Sequence, residues 1–578
     1  MLSRVLLTRT LKSYTVRRAT IATTPSLEWE NDFKTVSKAE SHAIASEYLV
    51  KALSSRVYDV AVETKSSFAP TLSNLIKNDV YLKREDTQPV FSFKIRGAGN
   101  KIASLTAEQR EKGVVTCSAG NHAQGVAMSA HKLGIHATIV MPETAPLIKV
   151  DAVKRFGGAH AKVVLHGGNF DEAAAEAKRL VVEQGLTMVH PFDDPLVIAG
   201  QATIGMEILK VLQSKEIHSV FVCCGGGGML AGVAAYIKAL QPEVKVFGVE
   251  ADDAAGMTES LKAGKVITLP TVGLFADGAA VRTVGQETFR VSNALVDGMI
   301  TVKTDEICAA IKMCFNDTRC VVEPAGALSI AGMVKYAQME GITGKTMVAI
   351  TSGANMDFDR LRFVSERADS SETLMSVSIP ERAGAIREFY KLIYPRNVTE
   401  LSYRWSDPKN ADIIVSLQTL KGHTIEEDKV EVLSTLTNRG YKVLDFSDNE
   451  LAKAHIRHLA GGRPGRDLYA HKNGISYADE HGNSALVGNS DRVEKVYRFE
   501  FPEAPGALGK FLFTLTDFNR DWNISLFHYR NHGHDYGRVL VGILVPREDV
   551  TDLDGFLEKL KYRHYEESDN LAFQHFLK

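Results

Sequence analysis

Cysteine is scarce in this chain, long apolar runs are missing, and the charges nearly cancel. The six cysteines among 578 residues are Cys117, Cys223, Cys224, Cys308, Cys314 and Cys320. None lies in the last third, and their spacing matches no zinc pattern. That usage favours buried, reduced thiols in a reducing compartment over a metal or disulfide framework. No apolar run is long enough to span a bilayer, so a membrane is not an expected partner. The formal net charge is only −2, so no overall basic field draws in nucleic acid. A hydrophobic content of 44% and a charged content of 24% are ordinary for a soluble protein. The length exceeds what one hydrophobic core serves and predicts about two to four domains.

Acids are absent from Met1 to Leu27. Arg4, Arg9, Lys12, Arg17 and Arg18 alternate there with Leu2, Val5, Leu6, Leu7, Leu11 and hydroxylated residues. The apolar stretch is too short for a secretory signal. A basic, Ser/Thr-rich, acid-free leader reads as a mitochondrial transit peptide over residues 1–27, which places the mature chain in the matrix. The bland alternative is a basic arm without structure.

From about Glu40 to Phe363 apolar strand-like runs alternate with helix-like stretches. The expected strands are Val114–Cys117, Ala137–Met141, Lys162–Leu165, Ser219–Cys224, Lys245–Val249 and Met347–Thr351. Helical patterns fall between them at Ala123–Leu133, Leu147–Phe156, Phe170–Gln184 and Leu230–Leu240. This succession predicts an α/β domain over residues 40–367, with parallel sheets covered by helices on both faces. Ligands in such sheets sit at the carboxyl ends of the strands. Three glycine-containing turns fall at those ends: Ser118–Asn121, Gly225–Gly228 and Ser352–Asn355.

Gly225, Gly226, Gly227 and Gly228, followed by Met229, join a Val/Phe/Cys strand to an Ala/Leu/Met helix. Consecutive glycines let backbone N–H groups close on an anion without Cβ clashes, and the helix adds its positive end. A phosphate cradle is the natural reading; tight helix–strand packing is the alternative. No Gly-Lys-Ser/Thr follows, so this is not a P-loop, and the glycines do not fit the dinucleotide fingerprint. Ser118-Ala119-Gly120-Asn121-His122 also joins a strand to a helix, and its hydroxyl, amides and dipole suit a carboxylate. A plain N-cap at Ser118 or Asn121 would explain one polar residue, not the cluster. Ser352 ends a strand where it can bond a ring nitrogen, although a serine there is more often a turn or cap. The peptide Ser92-Phe93-Lys94-Ile95-Arg96-Gly97 sets one lysine in an apolar, small-residue context that lowers an ammonium pKa. Such a lysine can form a Schiff base with an aldehyde or ketone.

Past Arg367 the texture changes and a repeat appears. Ser378-Ile379-Pro380-Glu381-Arg382-Ala383-Gly384-Ala385-Ile386 echoes Glu500-Phe501-Pro502-Glu503-Ala504-Pro505-Gly506-Ala507-Leu508. Asn397–Arg404 echoes Asn523–Arg530, and the strands Ile413–Leu417 and Val539–Leu544 keep register. Each copy reads strand, helix, strand, strand, helix, strand, over residues 374–448 and 495–567. Repeated units of this kind often pack side by side and share a buried face. The intervening 449–494 segment reads as a linker with an exposed insertion; a basic site at Arg463 and Arg466 is the less economical reading.

The motifs Ser-Phe-Lys-x-Arg-Gly-Ala, Ser-Ala-Gly-Asn-His-Ala-Gln-Gly, Gly-Gly-Gly-Gly-Met and Thr-Ser-Gly-Ala-Asn occur in this order. Together they resemble the serine/threonine dehydratase branch of the pyridoxal-phosphate enzymes of the tryptophan-synthase-β type, fold type II. With two C-terminal ACT-like repeats, the resemblance narrows to the biosynthetic threonine dehydratases. It implies a two-lobed fold type II catalytic domain and a C-terminal α+β regulatory region of two ACT-like repeats. It implies pyridoxal 5'-phosphate as cofactor, L-threonine and also L-serine as substrates, isoleucine as inhibitor, valine as its opponent, and a homotetramer. By resemblance, Lys94 holds the cofactor covalently and is the catalytic base. Gly225, Gly226, Gly227, Gly228 and Met229 form the phosphate loop, Asn121 bonds the phenolic oxygen, and Ser352 partners the pyridine nitrogen. Ser118, Gly120, Asn121 and His122 lie in the loop that receives the substrate carboxylate. Tyr403 and Tyr529, at equivalent repeat positions, are candidates for effector contacts, and core aromatics are the commoner case. The rivals are a catabolic serine/threonine dehydratase, a serine racemase or threonine synthase on the same scaffold, and, in another class, a non-catalytic amino-acid sensor. The insertion between the repeats departs from the shortest family members.

Overall fold

A computed structural model describes residues 36–449 and 492–569, apart from 144, 359, 369–371, 405–408, 421, 448, 503–505 and 531–535. The expected leader, Arg463 and Arg466, nearly all of the insertion, and Glu503, Ala504 and Pro505 of the second repeat turn lie outside the described residues. The chain divides into one compact unit ending at Ser370 and a second beginning at Ser371. Among the described residues, no helix is long and apolar enough to cross a membrane.

The first unit has two lobes. The smaller is built on four parallel strands in the order Ala161–Leu165, Ala137–Met141, Val114–Cys117 and Thr187–Met188. Val114–Cys117 is buried at every residue, as a parallel strand covered on both faces must be. Ile139 and Met141 meet Ala123, Ala127, Val150 and Val153 on one side. Val115, Cys117 and Val140 meet Ala173, Ala177 and Leu180 on the other. The alternation of strand side chains thus serves two helical layers.

The larger lobe carries six strands in the order Ser66–Phe68, Asp79–Arg84, Thr346–Thr351, Ile217–Cys223, Lys245–Ala251 and Gly298–Val302. All pairings are parallel except that of the edge strand Ser66–Phe68. The expected helix Phe170–Gln184 spans those residues, while the helix expected from Ala123 begins at Asn121 and the one expected from Leu230 begins at Gly228. Their N-caps are Gly120 and Gly227, neither of which caps through a side chain. The six cysteines are free thiols, five of them buried and Cys320 half-buried.

Helix Lys94–Ala103 crosses helix Pro195–Val211 at close range. A Cβ on Gly200 would lie 2.7 Å from the Arg96 carbonyl oxygen. Beneath this crossing Arg96, fully buried, donates to Glu85 from Nε and Nη2 (both 2.7 Å) and to Glu207 from Nη1 and Nη2 (2.6 and 2.8 Å). Buried Lys83 joins Glu207, and the Tyr58 hydroxyl also donates to it at 2.6 Å. Two cations face two carboxylates, and the charges balance.

The second unit is one eight-stranded antiparallel sheet. Its order is Lys442–Asp445, Glu372–Pro380, Asn410–Gln418, Val398–Arg404, Asn523–Arg530, Tyr536–Pro546, Arg492–Pro502 and Arg563–Glu566. The repeats join through Val398–Arg404 and Asn523–Arg530, which pair Leu401 with Tyr529 and Tyr403 with Phe527 about Ser402 and His528. Leu401 corresponds to Phe527 in the repeat, and Tyr403 to Tyr529. The junction is therefore a local two-fold, and Phe389, Phe499, Phe511 and Phe556 lie in the core that both copies share.

Removing one partner from a buried ion cluster leaves uncompensated charge and costs about 3–5 kcal/mol. Arg96→Ala is accordingly expected to lower the stability of the first unit by that amount, read from chemical denaturation of the full chain.

Candidate active site

Lys94 opens its helix behind the half-buried Phe93 ring, and its Nζ donates to the Pro191 carbonyl at 2.9 Å. Burial pushes its pKa down to about 8, against smaller upward pulls from Cys223 and Glu323. Among the described residues no carboxylate lies within ion-pair distance of Nζ. The accepting carbonyl is held from both sides. Asp193 Oδ1 accepts the N–H groups of Glu287 and Thr288, and Asp194 Oδ1 accepts those of Leu196 and Val197. The segment 190–194 is thus pinned to the first turns of two helices.

The tetraglycine meets this segment. A Cβ on Gly226 would fall 2.2 Å from the Phe192 ring, and one on Gly228 3.0 Å from the Phe192 carbonyl oxygen. Gly227 has φ of 91°, in the left-handed region, and caps helix Gly228–Leu240. The N–H groups of Gly225, Gly226 and Gly227 find no acceptor among the described residues. Packing and anion binding are both served: the glycines admit Phe192 and leave a row of donors at a helix N-terminus.

The third turn brings Ser352 to the same place. Its carbonyl accepts the Phe93 N–H at 3.0 Å, Ser92 bridges Gly353, and its Oγ donates to the Ala325 carbonyl at 3.2 Å. Ser352 lies beside Cys223, whose thiol burial pushes up to about 12. On the small lobe, Gly120 is the N-cap of helix Asn121–Leu133, and Ser118 Oγ accepts the Gly120 N–H at 3.3 Å. A Cβ on Gly120 would meet no atom within 4 Å. The capping alternative for Asn121 is therefore replaced: its side chain turns to Glu323 and Asn355. His122 turns inward instead. Its ring is 3% exposed, its Nε2 sits 2.9 Å from the Val189 carbonyl, and burial followed by nearby Lys94 lowers its pKa to about 3. It is a neutral imidazole donating to a carbonyl, so it serves this loop through its main chain.

Lys94, Asn121, the tetraglycine and Ser352 thus converge, although they come from four segments. The donor set fits a pyridoxal phosphate: an amine of lowered pKa, unpaired amides for a phosphate, an amide and a hydroxyl for ring substituents. Three contributors escaped the sequence reading. Pro191 and Phe192 follow a short strand and carry no chemical mark. Glu323 had one: it is the lone acid in Val321-Val322-Glu323-Pro324-Ala325-Gly326-Ala327, a run otherwise apolar or small.

In the second unit Tyr529, 8% exposed, lines a small recess with Tyr390, Tyr394, Phe501 and Leu508. The pseudo-equivalent recess is lined by Gly384, Ile386, Arg387, Thr516 and Asn523. Gly384 and Gly506 open the first helix of each repeat with φ of 81° and 93°. Tyr403 is buried and donates to Glu381 at 2.6 Å, and the other Glu381 oxygen accepts from Asn523 at 2.8 Å.

The sequence profile described as "Pyridoxal-phosphate dependent enzyme" matches residues 61–353, which hold all four segments of this site. The chain belongs to that class, and pyridoxal phosphate is its cofactor. The profile "C-terminal regulatory domain of Threonine dehydratase" matches residues 365–456 and 471–577. The chain is 50% identical over 534 residues to the biosynthetic L-threonine dehydratase IlvA of Burkholderia multivorans, covering 92% of this chain and 99% of that one. It is 47% identical over 548 residues to the mitochondrial threonine dehydratase of Saccharomyces cerevisiae, covering 92% and 89%. Among solved structures, the processed form of threonine deaminase isoform 2 from Solanum lycopersicum superposes with a TM-score of 0.56 and 46% identity, over 60% of this chain and 98% of that one. Within its class, the chain is a member of the biosynthetic threonine dehydratase family.

Two outcomes follow. Gly226→Ala forces the tetraglycine turn away from Phe192; overpacking costs about 1–3 kcal/mol, so cofactor affinity, titrated into apoprotein, is expected to fall roughly tenfold. The second concerns Lys94 in the apoprotein. Its folded pKa of about 8 lies below the ordinary 10.5. Its cost to stability is full below the folded value and is relieved as pH rises from there to the unfolded value. The stability gap between Lys94→Met and the parent apoprotein therefore narrows over that window in denaturant titrations.

Proposed function

We propose that this chain converts L-threonine to 2-oxobutanoate and ammonia, and turns over L-serine by the same route. The observation that carries the reading is Lys94 itself: an amine with no carboxylate partner among the described residues, its pKa lowered to about 8, at the meeting point of three strand-end turns. When bound, pyridoxal phosphate supplies an electron sink for charge developing at the substrate α-carbon. Lys94 would anchor it, the amides from Gly225 to Met229 would hold its phosphate, Asn121 would bond its phenolic oxygen, and the Ser352 hydroxyl would turn from the Ala325 carbonyl to its ring nitrogen. Ser352 is a weak acid and offers a hydrogen bond without giving up its proton. The loop Ser118–His122 would take the substrate carboxylate through the Ser118 hydroxyl and the amides of Gly120, Asn121 and His122, the Ser118 N–H being held by the Val140 carbonyl. Once the substrate amine has taken its place, the freed Lys94 Nζ would remove the α-proton, which balances the proton that leaves with the β-hydroxyl as water. Loss of water followed by hydrolysis balances threonine against 2-oxobutanoate and ammonia.

The reading assigns residues 40–367 to catalysis and the repeats 374–448 and 495–567 to regulation, with 449–494 as linker. Isoleucine inhibits and valine opposes it, in the recesses near Tyr529 and Tyr403. The acid-free leader and the mitochondrial name of the yeast relative support a matrix location. The homotetramer rests on the family resemblance.

A keto-acid assay tests this directly. Threonine is expected to yield 2-oxobutanoate, with Lys94→Ala slower by roughly a thousandfold or more. A chain ending at Arg367 is expected to keep activity and lose its response to isoleucine. Activity retained in Lys94→Ala, or sensitivity retained in the truncated chain, removes the respective assignment.

A further inference from the structure

The side-chain amide of Asn121 is not free to choose its orientation. Asn355 Nδ2 donates to the Val90 carbonyl at 2.8 Å and to Asn121 Oδ1 at 2.7 Å. The Val90 oxygen is only an acceptor, so it fixes which end of Asn355 is nitrogen, and Asn355 in turn fixes Asn121. Asn121 Nδ2 then donates to Glu323 Oε1 at 2.7 Å. One Nδ2–H remains. Glu323 is 5% exposed, immediately precedes helix Pro324–Glu340 and also accepts the main-chain N–H of Asn355. Its walls are close. A Cβ on Gly353 would lie 2.5 Å from Oε1, and one on Gly278 3.4 Å away.

We propose that Glu323 is a positioning residue: with Asn355 it clamps the Asn121 amide so that the remaining N–H points to the cofactor beside Lys94. This rests on the reading of Asn121 as a cofactor contact. Glu323 acts through Asn121 and touches neither substrate nor cofactor. The charged and titratable groups that face it are Lys94 from helix Lys94–Ala103, Asp277 from the turn Asp277–Ala279, Lys149 from helix Leu147–Gly157 and Cys223 at a strand end. Burial raises the Glu323 pKa to about 7, against the pull of Asn121. Above that pH the carboxylate is a charge-assisted acceptor and the clamp tightens; below it the neutral acid holds Asn121 less firmly.

The experiment titrates pyridoxal phosphate into full-length apoprotein, following cofactor absorbance and fluorescence, with apoprotein melting as a check of folding. Glu323→Ala and Asn121→Ala are each expected to weaken binding about tenfold, and the double variant no further than Asn121→Ala alone. Glu323→Gln, whose amide oxygen still accepts from Asn121, is expected to bind within about threefold of the parent and to lack its gain in affinity as pH rises through 7. Should Glu323→Ala fail to fold, Asn355→Ala loosens the same amide from its other side and is expected to give the same loss. Losses that multiply in the double variant overturn the clamp, as does a Glu323→Gln protein as weak as Glu323→Ala. Normal affinity in Glu323→Ala beside weak affinity in Asn121→Ala overturns the role of Glu323 alone. Normal affinity in Asn121→Ala overturns the cofactor contact, and the clamp with it.

Discussion

An ammonium gives up its proton near neutral pH only where water cannot reach it and no anion answers it. Lys94 approaches both conditions: burial outweighs the smaller pulls of Cys223 and Glu323, and among the described residues no carboxylate lies within ion-pair distance of it. Its one acceptor is a main-chain carbonyl, which polarises the amine without supplying a full charge. That carbonyl stays in place because Asp193 and Asp194 bind the neighbouring chain to two helix N-termini. The helix that carries Lys94 approaches its neighbours closely because they offer glycine: a Cβ on Gly125 would lie 3.1 Å from the Lys94 carbonyl carbon. Replacing any of these supports with a looser contact readmits water, and the desolvation that lowers the pKa is lost.

Two residues along, Arg96 has the opposite fate. It is fully buried where Lys94 is part-buried, yet two carboxylates grip it and it keeps its charge. Residues at i and i+2 of a helix face different sides. One short motif therefore sets a cation against a neutral-charge ion cluster on one face and against a carbonyl on the other. The first anchors the helix, and the second is left reactive. A lysine at 96 would offer no fork for two carboxylates, and an arginine at 94 would never deprotonate.

Local periodicity carried the architecture well. Ala137–Met141 and Val114–Cys117 are largely buried parallel strands with one threonine each in an otherwise apolar run, and the three glycine-containing turns of the site stand where strands end. The duplicated Pro-Glu-x-x-Gly-Ala element was visible because a glycine at positive φ admits few substitutes. What stayed hidden depends on contacts distant in sequence. Glu323 and Asn121 are 202 residues apart, and Pro191 and Lys94 are 97 apart. Nothing local distinguishes a carboxyl that orients an amide from one that caps a helix. His122 shows the reverse case: it belongs to a motif, yet its ring serves the interior of the lobe.

The regulatory sheet makes a further point about duplication. Joining the repeats along equivalent strands places the first helix of each copy against the later part of the other's, which generates two related recesses. Their backbones correspond, but their chemistry has diverged. Arg387 borders one recess, its guanidinium engaged with Thr516 and Asp517. The residue in the corresponding place of the other copy is Gly509, against which the Tyr390 ring packs so closely that a Cβ would lie 2.9 Å from it. A cation and a bare backbone cannot favour the same ligand equally. Identical copies would hold a given ligand alike; the substitutions accumulated on the duplication give its two recesses different chemistry, so that each can prefer a different ligand.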